Sequence, residues 1–163
     1  MRSKPIVLVC ALFALGGCGS QDGNEAPAAD AKLMMAEHVQ PTAETYWQAV
    51  QYVSDESGSR EIMPQNDAEW KRTAQAARRL AELGEELKQP QYAEGRGADW
   101  MAYAEGLVAV SEQAEKAAQS QDPAKVLEVG GTLYNVCSVC HETYMPVPGG
   151  MSPTSPASSQ PAG

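Results

Sequence analysis

From Lys32 to Tyr144, apolar residues recur every three or four positions with polar residues between them, the period of a helix that buries one face. Four such stretches can be drawn. The first runs from about Lys32 to Ser54 and carries Val39, Thr42, Tyr46, Ala49, Val50 and Val53 at helical spacing. Pro41 lies inside it, which predicts a kink or a local break in the hydrogen-bond ladder. After the linker DESGSREIMPQ, the second opens on Asn66 as N-cap with Glu69 three residues on, a capping-box pattern. It presents Trp70, Ala74, Ala77, Leu80, Ala81, Gly84 and Leu87, and Pro90 stops it.

A turn around GRGADW leads into the third stretch, about Asp99 to Gln119, with Trp100, Ala104, Leu107, Val110, Ala114 and Ala117 on one face. The last starts with Asp122 as N-cap and Pro123 at the first helical position, a favoured pairing. It carries Val126, Val129, Gly130, Leu133, Val136, Cys137, Cys140 and Tyr144, and Pro146 ends it. No period-two run and no Asn-Gly hairpin signal stands out, so the expected fold is all-α. Short links between long helices favour antiparallel neighbours, and the expected architecture is an up-down-up-down four-helix bundle.

The ends of the chain read differently. Arg2 and Lys4 precede an apolar run from Ile6 to Leu15 that is too short to span a bilayer and reads as an export signal. That run ends LGGC, which resembles the lipobox of bacterial lipoproteins. The resemblance implies that residues 1–17 are a signal peptide and that Cys18 becomes an acylated first residue. Acyl chains anchor a protein because each buried methylene contributes about 0.8 kcal/mol. Gly19 after the cysteine resembles the outer-membrane sorting pattern, so the expected location is the periplasmic face of a bacterial membrane, the outer one by that pattern. Residues 18–30 lack large apolar side chains and read as a tether, and residues 146–163 are a Pro-, Ser- and Gly-rich tail. One domain, 31–145, is left to fold.

Charge narrows the partners. The chain carries 12 basic and 21 acidic residues, and loss of Arg2 and Lys4 with the signal leaves 10 basic ones, a net −11. Nucleic acid rewards clustered Lys and Arg and is not expected as a partner; a basic redox protein is. The stretch Lys71, Arg72, Arg78 and Arg79 reads as a solvated face paired with local acids.

Chemistry concentrates in NVCSVCHETY, Asn135 to Tyr144. Cys10 leaves with the signal and Cys18 with the anchor, so Cys137 and Cys140 are the thiols of the domain and no disulfide framework is expected. Cys-x-x-Cys-His is compatible with a redox disulfide, a zinc site or a haem attachment. A thioredoxin-type pair sits where a strand meets a helix, and this one lies late in a helix. Structural zinc wants four ligands, and His38 is the one further imidazole. A c-type haem site uses the two thiols as thioether links and the adjacent histidine, here His141, as proximal iron ligand. Export suits that attachment.

A haem near the end of the last helix needs a neighbour on its other side. In an antiparallel bundle that neighbour comes from the start of the first helix. On a wheel of 100° per residue, the centre of the apolar set lies about 10° from Met35, about 70° from His38 and about 110° from Met34. Met35 is therefore the expected distal ligand, with His38 and Met34 as competitors. Trp47, Trp70 and Trp100 read as core aromatics without assigned chemistry.

An all-α domain with CSVCH in its last helix resembles the class II c-type cytochromes, the cytochrome c prime group and its low-spin, methionine-ligated relatives. The likeness covers about Ala31 to Tyr144 and includes LMMAEHVQPTAETYW, a Trp-opened second helix, ADWMAYAEGL and GGTLYNVCSVCHETY. It implies one covalent haem c on Cys137 and Cys140, iron held by His141, and Met35 at the matching distal place counted back from Pro41. It further implies a one-electron carrier with no catalytic residue, and pairing through the first two helices is common in that group. Two other readings stand beside it: a gas-binding haem protein with a vacant or labile sixth site, and a zinc-stabilised lipoprotein.

Overall fold

The computed structural model describes residues 30–145, and its helices begin where side chains satisfy otherwise unpaired amides. The leader, the tether up to residue 29, Cys18 and the tail 146–163 lie outside the described residues. Asp30 accepts from the backbone amides of Lys32 and Leu33 at 2.9 and 3.2 Å and starts α1, Ala31–Met34. A π-helical turn, Met35–Val39, and α2, Gln40–Trp47, carry the helix onward.

Pro41 explains the wide turn. It has no N–H for the carbonyl of Glu37, and its ring crowds that carbonyl. The turn before it opens, and the Gln40 amide donates to the carbonyl of Met35, five residues back. The expected break at Pro41 is thus one turn with an extra residue in it. That residue also rotates everything N-terminal to it: Met34 and Val39 share the buried face, and Met35 moves to its flank.

The first helix does not reach Ser54. After Trp47 the chain leaves the helix, and Gln51–Asp55 (β1) pairs antiparallel with Gly58–Ile62 (β2), with Tyr52 opposite Glu61 and Asp55 opposite Gly58. The protein is mostly helical with a small two-stranded sheet, a correction to the all-α expectation. The cause is local. The Asp55 carboxylate accepts from the Ser57 amide at 2.9 Å and pairs with Arg60, closing a two-residue turn, and Tyr52 and Val53 favour extended backbone.

The remaining helices sit close to their expected bounds. Asn66 caps α3, Asp67–Leu87, by accepting from the Glu69 amide at 3.0 Å, while the Glu69 carboxylate reaches back to the Gln65 amide at 2.7 Å. Pro90 opens a single extra turn, α4, Pro90–Ala93. The third long stretch is α5, Ala98–Gln119, and the last is α6, Pro123–Tyr144, capped by Asp122 on the Ala124 and Lys125 amides.

Named contacts give the helix directions. Arg78 pairs with Glu115 while the indole of Trp100 donates to the Leu87 carbonyl at 2.7 Å, so α3 and α5 run antiparallel. Tyr103 meets Thr143 at the far end of α6 from Pro123, so α5 and α6 do too. Trp47 donates to the Gly130 carbonyl at 2.9 Å, tying α2 to α6. Between them lies a core in which Tyr46, Leu80, Leu83, Val126 and Leu133 are buried almost completely. It converges on one end of α6, where the chemistry lies.

Candidate functional site

The last turns of α6 carry Cys137, Cys140 and His141. Residues three apart on a helix fall on one side, a turn apart, and both thiols are half-buried on the side that faces the core. With His141 they form one wall of an apolar cleft. Met35 and Val39 of the π turn and Ala43 and Trp47 of α2 supply another, and Leu87, Trp100 and Leu107 come in from α3 and α5. The first and last helices thus deliver a thioether, an imidazole and two thiols to one space.

The walls are fixed by bonds that point away from it. The indole N–H groups of Trp47 and Trp100 are spent on the carbonyls of Gly130 and Leu87, which leaves ring carbon for the cleft. Tyr144 stands edge-on to Trp100 with ring centroids 5.0 Å apart, and its hydroxyl donates to the Arg96 carbonyl at 2.9 Å. Tyr103, also on the cleft, stands edge-on to Tyr144 at 6.2 Å.

Burial, and next the proximity of Cys140, pushes the Cys137 thiol up to about 11. Burial also raises Cys140, with Arg96 pulling the other way. Both groups are protonated near neutrality. Thiol–disulfide exchange needs a thiolate and usually finds it at a helix N-terminus, whereas this pair sits at the negative end of α6. Among the described residues, no three His, Cys, Asp or Glu side chains come together to hold a metal ion. His38, the fourth zinc ligand of the alternative reading, is exposed and does not line the cleft.

The three candidates for the distal position separate cleanly. Met35 lines the cleft, Met34 is buried in the core at 3% exposure and does not line it, and His38 points to neither. The wheel put Met34 farthest from the buried face; the π turn instead carries it into the core. Trp47 and Trp100 join the cleft wall, while Trp70 is core at the start of α3. Of the basic stretch, Arg78 pairs with Glu115 and Arg79 with Glu82, and none of the four lines the cleft. Arg96, which no motif marks, is the cation beside it.

The donor set fits a c-type haem: two neutral thiols a turn apart, an imidazole next to them, a thioether across an apolar space. The space between the walls is about 620 Å³ with the solvent at the mouth included, and about 60 Å³ as a cavity in the strict sense. No protein-family model, no curated protein and no solved structure matches this chain. Among the described residues no helix is long and apolar enough to cross a membrane.

Proposed function

We propose that the long helices form an antiparallel four-helix bundle around one haem c, and that the protein is a lipid-anchored periplasmic electron carrier rather than an enzyme. One observation carries the reading: Cys137, Cys140, His141 and Met35, from opposite ends of the sequence, line a single apolar cleft. When bound, the haem supplies a one-electron iron couple, which methionine ligation poises at a raised potential.

The chain's own residues do the rest. Cys137 and Cys140 fix the macrocycle's position through thioether bonds, and His141 holds the metal from the same helix. Met35 offers its sulfur from the other wall. Trp47, Trp100 and Leu107 keep water out, which raises the weight of every charge near the site. Held by packed helices, His141 and Met35 would move little on electron transfer. The net −11 of the mature chain favours a basic partner, through contacts that weaken as salt rises. Cys18 is the proposed anchor, and the periplasmic side of the outer membrane the proposed location.

A second reading draws on the seat of Met35. It stands half-buried in a π turn, where the ladder is weakest, so a labile thioether would open the sixth site to small gases. Optical spectra of ferric and ferrous protein, with and without carbon monoxide, separate the two. The electron-carrier reading expects low-spin iron with a ferric sulfur-to-iron band, unaltered by the gas, and high-spin iron in Met35→Ala. Ready uptake of carbon monoxide by the wild type favours gas binding, and an unchanged spectrum in Met35→Ala removes Met35 as ligand.

A further inference from the structure

Arg96 lies between Gly95 and Gly97, whose φ values of +74° and +84° belong to the left-handed region that glycine enters freely. The turn they make leaves the arginine half-buried against Trp100, a residue of the cleft wall. Its guanidinium stacks 4.4 Å from the centre of the Trp100 ring, a ring that lines the cleft, and its Nε donates to the Tyr92 carbonyl at 2.7 Å. The group is therefore held in place, yet its Nη atoms have no acceptor among the hydrogen bonds of the described residues. Asp99, one turn on, is exposed and does not pair with it.

The other cations differ. Arg60, Arg78, Arg79, Lys88 and Lys125 each pair with a carboxylate. Lys32, Lys71, Arg72 and Lys116 form no ion pair among the described residues, but they are exposed and solvated. A partly desolvated, immobilised guanidinium calls for an anion, and its flat fork suits a carboxylate. The ligand inferred for this cleft brings two, the propionates of the haem. Resting on that reading, we propose that Arg96 binds a haem propionate at the cleft's edge and fixes the macrocycle's orientation there.

The test uses full-length protein matured in a host that attaches c-type haem: wild type, Arg96→Gln and Arg96→Lys. Haem mass, helix content, reduction potential and the propionate bending mode in resonance Raman are read on each. In Arg96→Gln the bending mode should shift. At a poise that holds the wild type half reduced, the ferric-to-ferrous ratio should rise about threefold, because a cation near the iron favours the added electron. Arg96→Lys keeps the charge but not the fork, so it should recover the potential and still show the shifted band. An unshifted band and unchanged potential in a haem-loaded, folded Arg96→Gln overturn the role of Arg96 and leave the haem reading standing. If Arg96→Gln does not fold, Arg96→Lys decides alone: a shifted band supports the pairing and an unshifted one overturns it. Wild type without haem overturns both.

Discussion

Met35 and His141 stand in one apolar cleft, the first in the π turn before Pro41 and the second near the end of α6. Nothing local brings them together. Their meeting depends on α2 lying against α6, which the Trp47 to Gly130 bond and the burial of Tyr46 against Val126 secure. Distant packing therefore controls the site, and changes in the core should be felt there.

At Gly84 the helices α3 and α5 approach closely. A Cβ placed on it would come within 2.8 Å of a Val108 methyl, 3.2 Å of the Val108 amide and 3.3 Å of the Ala104 carbonyl. Backbone cannot yield as a side chain can, so Gly84→Ala should destabilise by about 1–3 kcal/mol despite alanine's better helix propensity. Urea unfolding followed by circular dichroism gives the value. An equal or higher midpoint would mean that the two helices pack less closely than described.

Ser111 is fully buried on α5, and its hydroxyl has no hydrogen-bond partner among the described residues. Ser111→Ala removes a desolvated polar atom and leaves the volume nearly unchanged. Stability should rise by about 1 kcal/mol, read as a higher urea midpoint at the same slope.

Tyr46 is buried and its hydroxyl lies 3.4 Å from the carbonyls of Ala114 and Val126. Burial raises its pKa above the unfolded value, so the phenol stays neutral in the folded state while the unfolded chain can ionise. The stabilisation is complete below about pH 10 and is lost as pH climbs from there. Thermal melts from neutral to strongly alkaline pH should show stability falling in that window. Tyr46→Phe should lose about 1 kcal/mol at neutral pH and fall less steeply in alkali; a decline identical to wild type would assign it to another group.

Much of this fold is written in caps and stops: Asn66 with Glu69, Asp122 with Pro123, and Pro90 mark helix ends to within a few residues because each acts through its own neighbours. The hairpin was hidden for the converse reason. Its residues are mostly exposed on both faces, so no alternation of apolar and polar side chains records it, and its turn is closed by an Asp55 side chain rather than by Asn-Gly. The Cys-x-x-Cys-His group and Met35 were visible as candidates. What the wheel could not register was the extra residue that Pro41 forces into one turn, which buries Met34. Arg96 gave no signal at all, since its setting is made by Trp100 and Tyr92 only once the chain is folded.

Removing the thioether links tests what the ligand contributes to the fold. In Cys137→Ala/Cys140→Ala, matured in the same host, the helix content should persist because the fully buried core includes neither thiol. Stability should fall by on the order of 3 kcal/mol relative to loaded wild type, since a tightly held group favours the folded state. Equal melting temperatures would mean that no bound group stabilises the wild type.

The most direct measurement is the intact mass of the mature wild-type chain, taken under denaturing conditions from a host that matures c-type cytochromes. A mass larger than the polypeptide's by one haem, lost in Cys137→Ala/Cys140→Ala, is the predicted result. The bare polypeptide mass from a host shown to load another c-type cytochrome in the same culture would contradict it.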